Sequence, residues 1–92
     1  MYHVLQLTYN QPIDVVDRVR PAHLEWLDAE IAAGNILISG RNEAGTGGVL
    51  ITGDISAENA QALIAADPYT AAGVAEYTRT GFNAGRKADI IP

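Results

Sequence analysis

The chain has 92 residues, 48% of them hydrophobic and 18% charged, which allows one foldable domain with a modest core; so small a domain gains from a second subunit over any apolar face it leaves open. Six Lys and Arg against eleven Asp and Glu give a formal net charge of −5 and no basic stripe, which argues against a nucleic-acid partner. The absence of cysteine excludes disulfides, thiolate catalysis and cysteine-ligated zinc; with no signal peptide and no run near the ~20 apolar residues of a membrane span, the expectation is a soluble cytoplasmic protein with no membrane partner.

Tyr2–Tyr9 sets Leu5, Leu7 and Tyr9 against Val4, Gln6 and Thr8, the period of a strand. Gln11-Pro12 interrupts it, and Asn10–Arg20 is expected to be a connection with at most a short helical turn opened by Asp14. A helix is predicted from Pro21 to Ala33. Proline suits a first helical position because the N–H it lacks would be unpaired there, and it pushes Arg20 toward an extended conformation. Leu24, Leu27 and Ile31 recur at spacings of three and four, and His23 falls in the expected first turn. Gly34 supplies the left-handed residue that commonly ends a helix.

Asn35–Gly40 and Gly48–Gly53 hold Ile36-Leu37-Ile38 and Val49-Leu50-Ile51, strands apolar on both faces, and Arg41–Gly47 has the composition of a hairpin connection. Ser56 is a good N-cap for a second helix that runs to about Ala66, with Ala60, Leu63 and Ile64 at helical spacing. Asp67-Pro68 stops it, Tyr69–Gly73 is expected to be a turn or helical stub, and Val74–Phe82 is a last strand near a sheet edge. Asn83–Pro92 is a tail without usable period, although Ile90-Ile91 is apolar enough to dock.

The order β, α, β, β, α, β predicts an α+β, ferredoxin-like domain: a four-stranded antiparallel sheet with both helices on one face, spanning residues 1–92 with no internal repeat or linker. Strands apolar on both faces need cover on the other side, and a homodimer packed through the open sheet face provides it.

Chemistry centres on His23. A histidine moves protons near neutral pH, and a carboxylate that fixes its tautomer makes it an effective base. Asp67, held by the turn before Pro68, is the preferred partner, because both helices share one face of the sheet. The competing reading is a core-edge histidine and a helix-capping aspartate. Gly45-Thr46-Gly47-Gly48 lacks the lysine and following helix of a phosphate loop and fits a hairpin better. Arg41 can pair a substrate carboxylate, while Trp26 and Tyr69 can line a pocket or serve the core. His3 and His23 lack any diagnostic metal-ligand spacing, so no metal is expected, and Ser39 and Ser56 lack the strained turn of a nucleophilic serine.

Taken together, Arg20-Pro21-Ala22-His23-Leu24, Ser39-Gly40, Thr46-Gly47-Gly48-Val49-Leu50, Ala66-Asp67-Pro68-Tyr69 with Ala72-Gly73-Val74, and Phe82 resemble the YciI-like (YCII-related) family, up to about Phe82. Arg41 stands where many relatives continue Ser-Gly with proline. The resemblance implies a dimeric α+β barrel and an active site built on a His-Asp dyad, His23 and Asp67. It also implies proton transfer or elimination on a small oxygenated organic molecule by a lyase- or isomerase-type enzyme without a cofactor. Ser39, Arg41 and Tyr69 are the substrate-holding residues expected beside the dyad. The alternative is a dimeric module that binds a small ligand without turnover.

Overall fold

A computed structural model describes residues 1–92. Its elements are β1 (Tyr2–Tyr9), α1 (Ile13–Ala32), β2 (Ile36–Arg41), β3 (Gly47–Thr52), α2 (Ala57–Ala66), the single turn α3 (Pro68–Ala71) and β4 (Ala75–Phe82). The strands form one antiparallel sheet in the order β2-β3-β1-β4, so β1 is central and β4 lies at an edge. This is the ferredoxin-like arrangement.

Alternation in β1 sends Leu5 and Leu7 to the helix side, where both are buried. Register carries the same side across the sheet: Leu5 pairs with Leu50 of β3, and Leu50 with Ser39 of β2. Helix residues complete two clusters there, one of Leu5, Leu27, Ile36, Leu50 and Leu63, the other of Leu7, Val16, Tyr69, Val74 and Ala75. Close approach of β1 and β3 requires Gly47, since a Cβ there would lie 1.8 Å from the carbonyl oxygen of Leu7.

The first helix departs from the sequence expectation. It begins at Ile13, after Pro12 at the N-cap, and continues through Pro21 to Ala32, so Asn10–Arg20 is mostly helix and His23 stands mid-helix, not in a first turn. An interior proline costs about 3 kcal/mol. Burial outweighs it: Val16 is completely buried ahead of the proline, Val15 and Val19 pack beside it, and His23 and Leu27 continue the same buried face beyond. One fully buried Val or Leu contributes about 1.5–3 kcal/mol, so Val16 ahead of Pro21 and Leu27 beyond it, with half-buried Val15, Val19 and Trp26 beside them, offset the cost. Gly34 does end the helix region, at φ +80°.

The second helix follows expectation. Ser56 Oγ accepts from the Asn59 N–H at 3.0 Å, and the chain leaves the helix at Asp67, whose ψ of 126° is the extended value favoured before proline. The hairpin loop is closed by Asn42, whose Oδ1 accepts from the N–H groups of Thr46 (2.9 Å) and Gly47 (3.3 Å). Those donors are therefore committed within the loop.

On the open face Ile38 is 63% exposed and Val49 and Ile51 are half-buried. The tail reaches one end of this face. Tyr2 Oη donates to an oxygen of Pro92 at 2.6 Å, and Lys87 Nζ donates to Tyr2 Oη at 3.2 Å. Ile91 lines a recess there with Tyr2, Leu37, Ile51 and Phe82, whereas Ile90 points to solvent. No helix is long and apolar enough to cross a membrane.

Candidate active site

Asp67 gathers His23, Tyr69 and Tyr77 around one carboxylate. The residue is completely buried at the break between α2 and α3, and its carboxylate serves three donors. Oδ1 accepts from the backbone N–H of Tyr69 at 2.9 Å, capping α3, and from His23 Nδ1 at 2.7 Å; Oδ2 accepts from the Tyr77 hydroxyl. The capping role and the histidine pairing coexist. Asp67 and His23 come from helix segments 44 residues apart that lie side by side on one face of the sheet.

With Nδ1 donating to a carboxylate, His23 carries its proton on that nitrogen and leaves Nε2 as the free base. The ring is held flat against Tyr69, centroids 3.9 Å apart at an interplanar angle of 11°, with Trp26 at 5.8 Å. Orientation is thus set on two sides, by a hydrogen bond and by a stacked ring. Burial, then the neighbouring Asp67 charge and the hydrogen bond to it, push the Tyr77 phenol far up, so Tyr77 remains a donor to the carboxylate. Burial also pushes the Tyr69 phenol up.

A cavity of about 120 Å³ opens in front of His23, between α1 and the β1-β3-β2 side of the sheet. Its apolar wall is Leu7, Leu24, Leu27 and Leu50; its polar wall includes Ser39, Arg41, Tyr69, Tyr9 and Arg20. His23, Ser39, Arg41 and Tyr69 therefore share one cavity, with Asp67 behind the histidine. Arg41 sits at the end of β2, where its Nε donates to Tyr9 Oη at 2.9 Å and an Nη to Asp17 at 2.8 Å. Those two bonds, Asp17 first, raise its pKa further. The Tyr69 hydroxyl is buried without a partner.

Sequence reasoning missed Tyr77, Tyr9 and Arg20. Tyr77 lies on the helix side of edge strand β4 opposite Leu7, a position that alternation alone shows to face inward. Arg20 shares the i, i+3, i+4, i+7 row with His23, Leu24 and Leu27, which becomes visible once the helix runs through Pro21. His3 belongs elsewhere: its Nε2 lies 3.0 Å from the Ile55 carbonyl oxygen and its Nδ1 3.3 Å from an Arg79 nitrogen. The structure gathers no group of three His, Asp or Glu side chains that could hold a metal ion.

The chain is thus a small α+β domain with a buried His-Asp pair beside a partly polar cavity. The YCII-related domain matches residues 1–83, and the chain belongs to that family. Comparison with curated proteins finds no match. Among solved structures, the fold is similar to that of 5-chloro-2-hydroxyhydroquinone dehydrochlorinase (TftG) from Burkholderia phenoliruptrix AC1100, in complex with 2,5-dihydroxybenzoquinone. The TM-score is 0.78 at 23% identity, covering 92% of this chain and 96% of that one.

Proposed function

We propose that the protein is a lyase- or isomerase-type enzyme that uses the His23-Asp67 dyad, without a cofactor, to move a proton on a small oxygenated organic molecule. The observation that carries this reading is the 2.7 Å contact between His23 Nδ1 and a fully buried Asp67 carboxylate, which leaves Nε2 free on a ring that lines the cavity. In this mechanism Nε2 removes a proton from a carbon next to a carbonyl, and the imidazolium formed is stabilised by Asp67 through Nδ1–H. The C–H electron pair then delocalises into the carbonyl. It can expel a leaving group with its own electron pair, which is elimination, or be reprotonated elsewhere by His23, which is isomerisation. Ser39 and the unengaged edge of Arg41 hold the oxygens that gain charge, and Tyr69 holds a further polar group of the substrate. The family membership and the structural likeness to a dehydrochlorinase support elimination on a cyclic, oxygenated substrate.

Screening chlorinated and hydroxylated quinols and small keto compounds for halide release or ultraviolet change tests the reading. His23→Gln and Asp67→Asn are expected to lose at least about a hundredfold in kcat, the usual contribution of a positioned base, while retaining the native circular dichroism spectrum. Native turnover in both folded variants overturns the dyad mechanism. Native ligand binding with no turnover across the screen favours the alternative, a ligand-binding module.

A further inference from the structure

We infer that the cavity is built to bind a small organic anion, a carboxylate in particular, and that Arg20 together with the Tyr69 hydroxyl forms its anion-binding wall. The inference rests on the proposed active site and specifies its substrate class.

Arg20 is half-buried, lines the cavity one helical turn before His23, and has no ion-pair partner. The acids on the preceding turns are committed, Asp17 to Arg41 at 2.8 Å and Asp14 to Arg18 at 3.6 Å. The other charges near the cavity are also accounted for. Asp17 offsets Arg41, and Asp67 lies behind the His23 ring with both oxygens bonded to donors. Arg20 is therefore the cation left uncompensated at the wall.

The second observation is independent of charge. Tyr69 is 1% exposed, lines the same cavity, and its hydroxyl has no hydrogen-bond partner. An orphaned buried hydroxyl is costly unless a ligand completes it. Burial pushes this phenol up, while the Arg20 and Arg41 charges and an N–H of Arg41 directed at its oxygen act the other way, so the hydroxyl faces both guanidinium groups with its own O–H unclaimed. Donors and positive charge converge, and the matching ligand group is a planar, doubly accepting anion. A guanidinium fork pairs with a carboxylate bidentately, and a phenol O–H adds a third bond.

Size sets a further limit. The cavity is about 120 Å³ and opens to solvent on one side, so the part of the ligand it encloses is of the size of a short acid or a single ring. Residues three apart on a helix are neighbours, so a carboxylate on Arg20 presents its adjacent carbons to the side of His23.

Benzoate and benzamide, alike in shape and different in charge, are suitable probes, titrated into ¹⁵N-labelled protein. Benzoate is expected to shift the amides of Gly40, Gly48 and Tyr69 at millimolar concentration and to bind at least tenfold more tightly than benzamide. Arg20→Gln is expected to weaken benzoate about tenfold, equivalent to about 1.4 kcal/mol, and to change benzamide affinity much less, with native-like amide shifts of the unliganded variant as the folding control. Arg20→Lys is expected to fall between, because a point charge lacks the fork. Equal affinity for the two probes, no benzoate shifts in the native protein, or native benzoate affinity in Arg20→Gln overturns the inference. Binding is read without turnover, so this result stands apart from the fate of the dyad, which the His23 and Asp67 variants decide.

Discussion

Replacing Asp67 separates its two roles, because alanine and asparagine remove different things. Asp67→Ala leaves the His23 Nδ1–H, the Tyr77 hydroxyl and the Tyr69 N–H facing an empty buried site. Each buried donor left without its acceptor costs about 1–3 kcal/mol, so three of them, less the relief from burying a carboxylate, leave a deficit of several kcal/mol. The lost cap of α3 belongs to the same deficit. Asp67→Asn keeps an oxygen for the Tyr69 and His23 donors and offers its NH₂ to the Tyr77 oxygen. Its cost is the charge-assisted share of three bonds, on the order of 1 kcal/mol each, offset in part by relief from burying a carboxylate. A net loss of about 1–2 kcal/mol follows. In a domain of this size 1 kcal/mol moves Tm by about 4–8 °C, so Asp67→Asn is expected to melt roughly 5–15 °C below native and Asp67→Ala to melt much lower or not to fold. Thermal and urea unfolding followed by circular dichroism measure this directly. An Asp67→Ala protein within about 0.5 kcal/mol of native refutes the buried three-donor acceptor.

Other outcomes follow from the same geometry. The Tyr69 and Tyr77 phenols are held protonated by burial, so above pH ~10, where an unfolded tyrosine ionises, the unfolded state releases protons that the folded state retains. These two groups therefore contribute no pH dependence below pH ~10 and lower stability as pH rises above it. Tyr77→Phe should flatten that alkaline fall in urea midpoints measured from pH 8 to about 12, and an unchanged slope would show that Tyr77 is not its source. The open sheet face, with Ile38 63% exposed beside Val49 and Ile51, is the proposed homodimer interface. Light scattering at micromolar concentration should give a dimer that Ile38→Glu converts to a folded monomer; a monomeric native protein would count against this use of the face.

Local signals carried much of this molecule. Alternation in Tyr2–Tyr9, the Ser56 cap, the Asp67-Pro68 break and Gly34 as a left-handed stop each act within a few residues, and each appears where such rules put it. Element order then led to the ferredoxin-like sheet, because short connections and one-sided helices leave few ways to assemble βαββαβ. The motif resemblance also picked out His23 and Asp67, whose own spacing left them indistinguishable from a core-edge histidine and a helix cap.

Three-dimensional packing decided what local rules could not. Pro21 is by itself a helix-start signal, and only the burial of Val16 against Leu7 and Tyr69, together with His23 and Leu27 beyond it, keeps α1 continuous through the missing hydrogen bond. That continuity puts Arg20 on the row of His23 and hence in the cavity. Tyr77 reaches Asp67 from a strand ten residues on, and Asp17 reaches Arg41 across 24, contacts that no local pattern encodes. Propensity and periodicity specify the strands, the second helix, the order of the elements and the kinds of side chain available, but not where α1 begins. Which polar groups satisfy one another, and which are left for a ligand, depends on long-range burial and was decided by the tertiary structure.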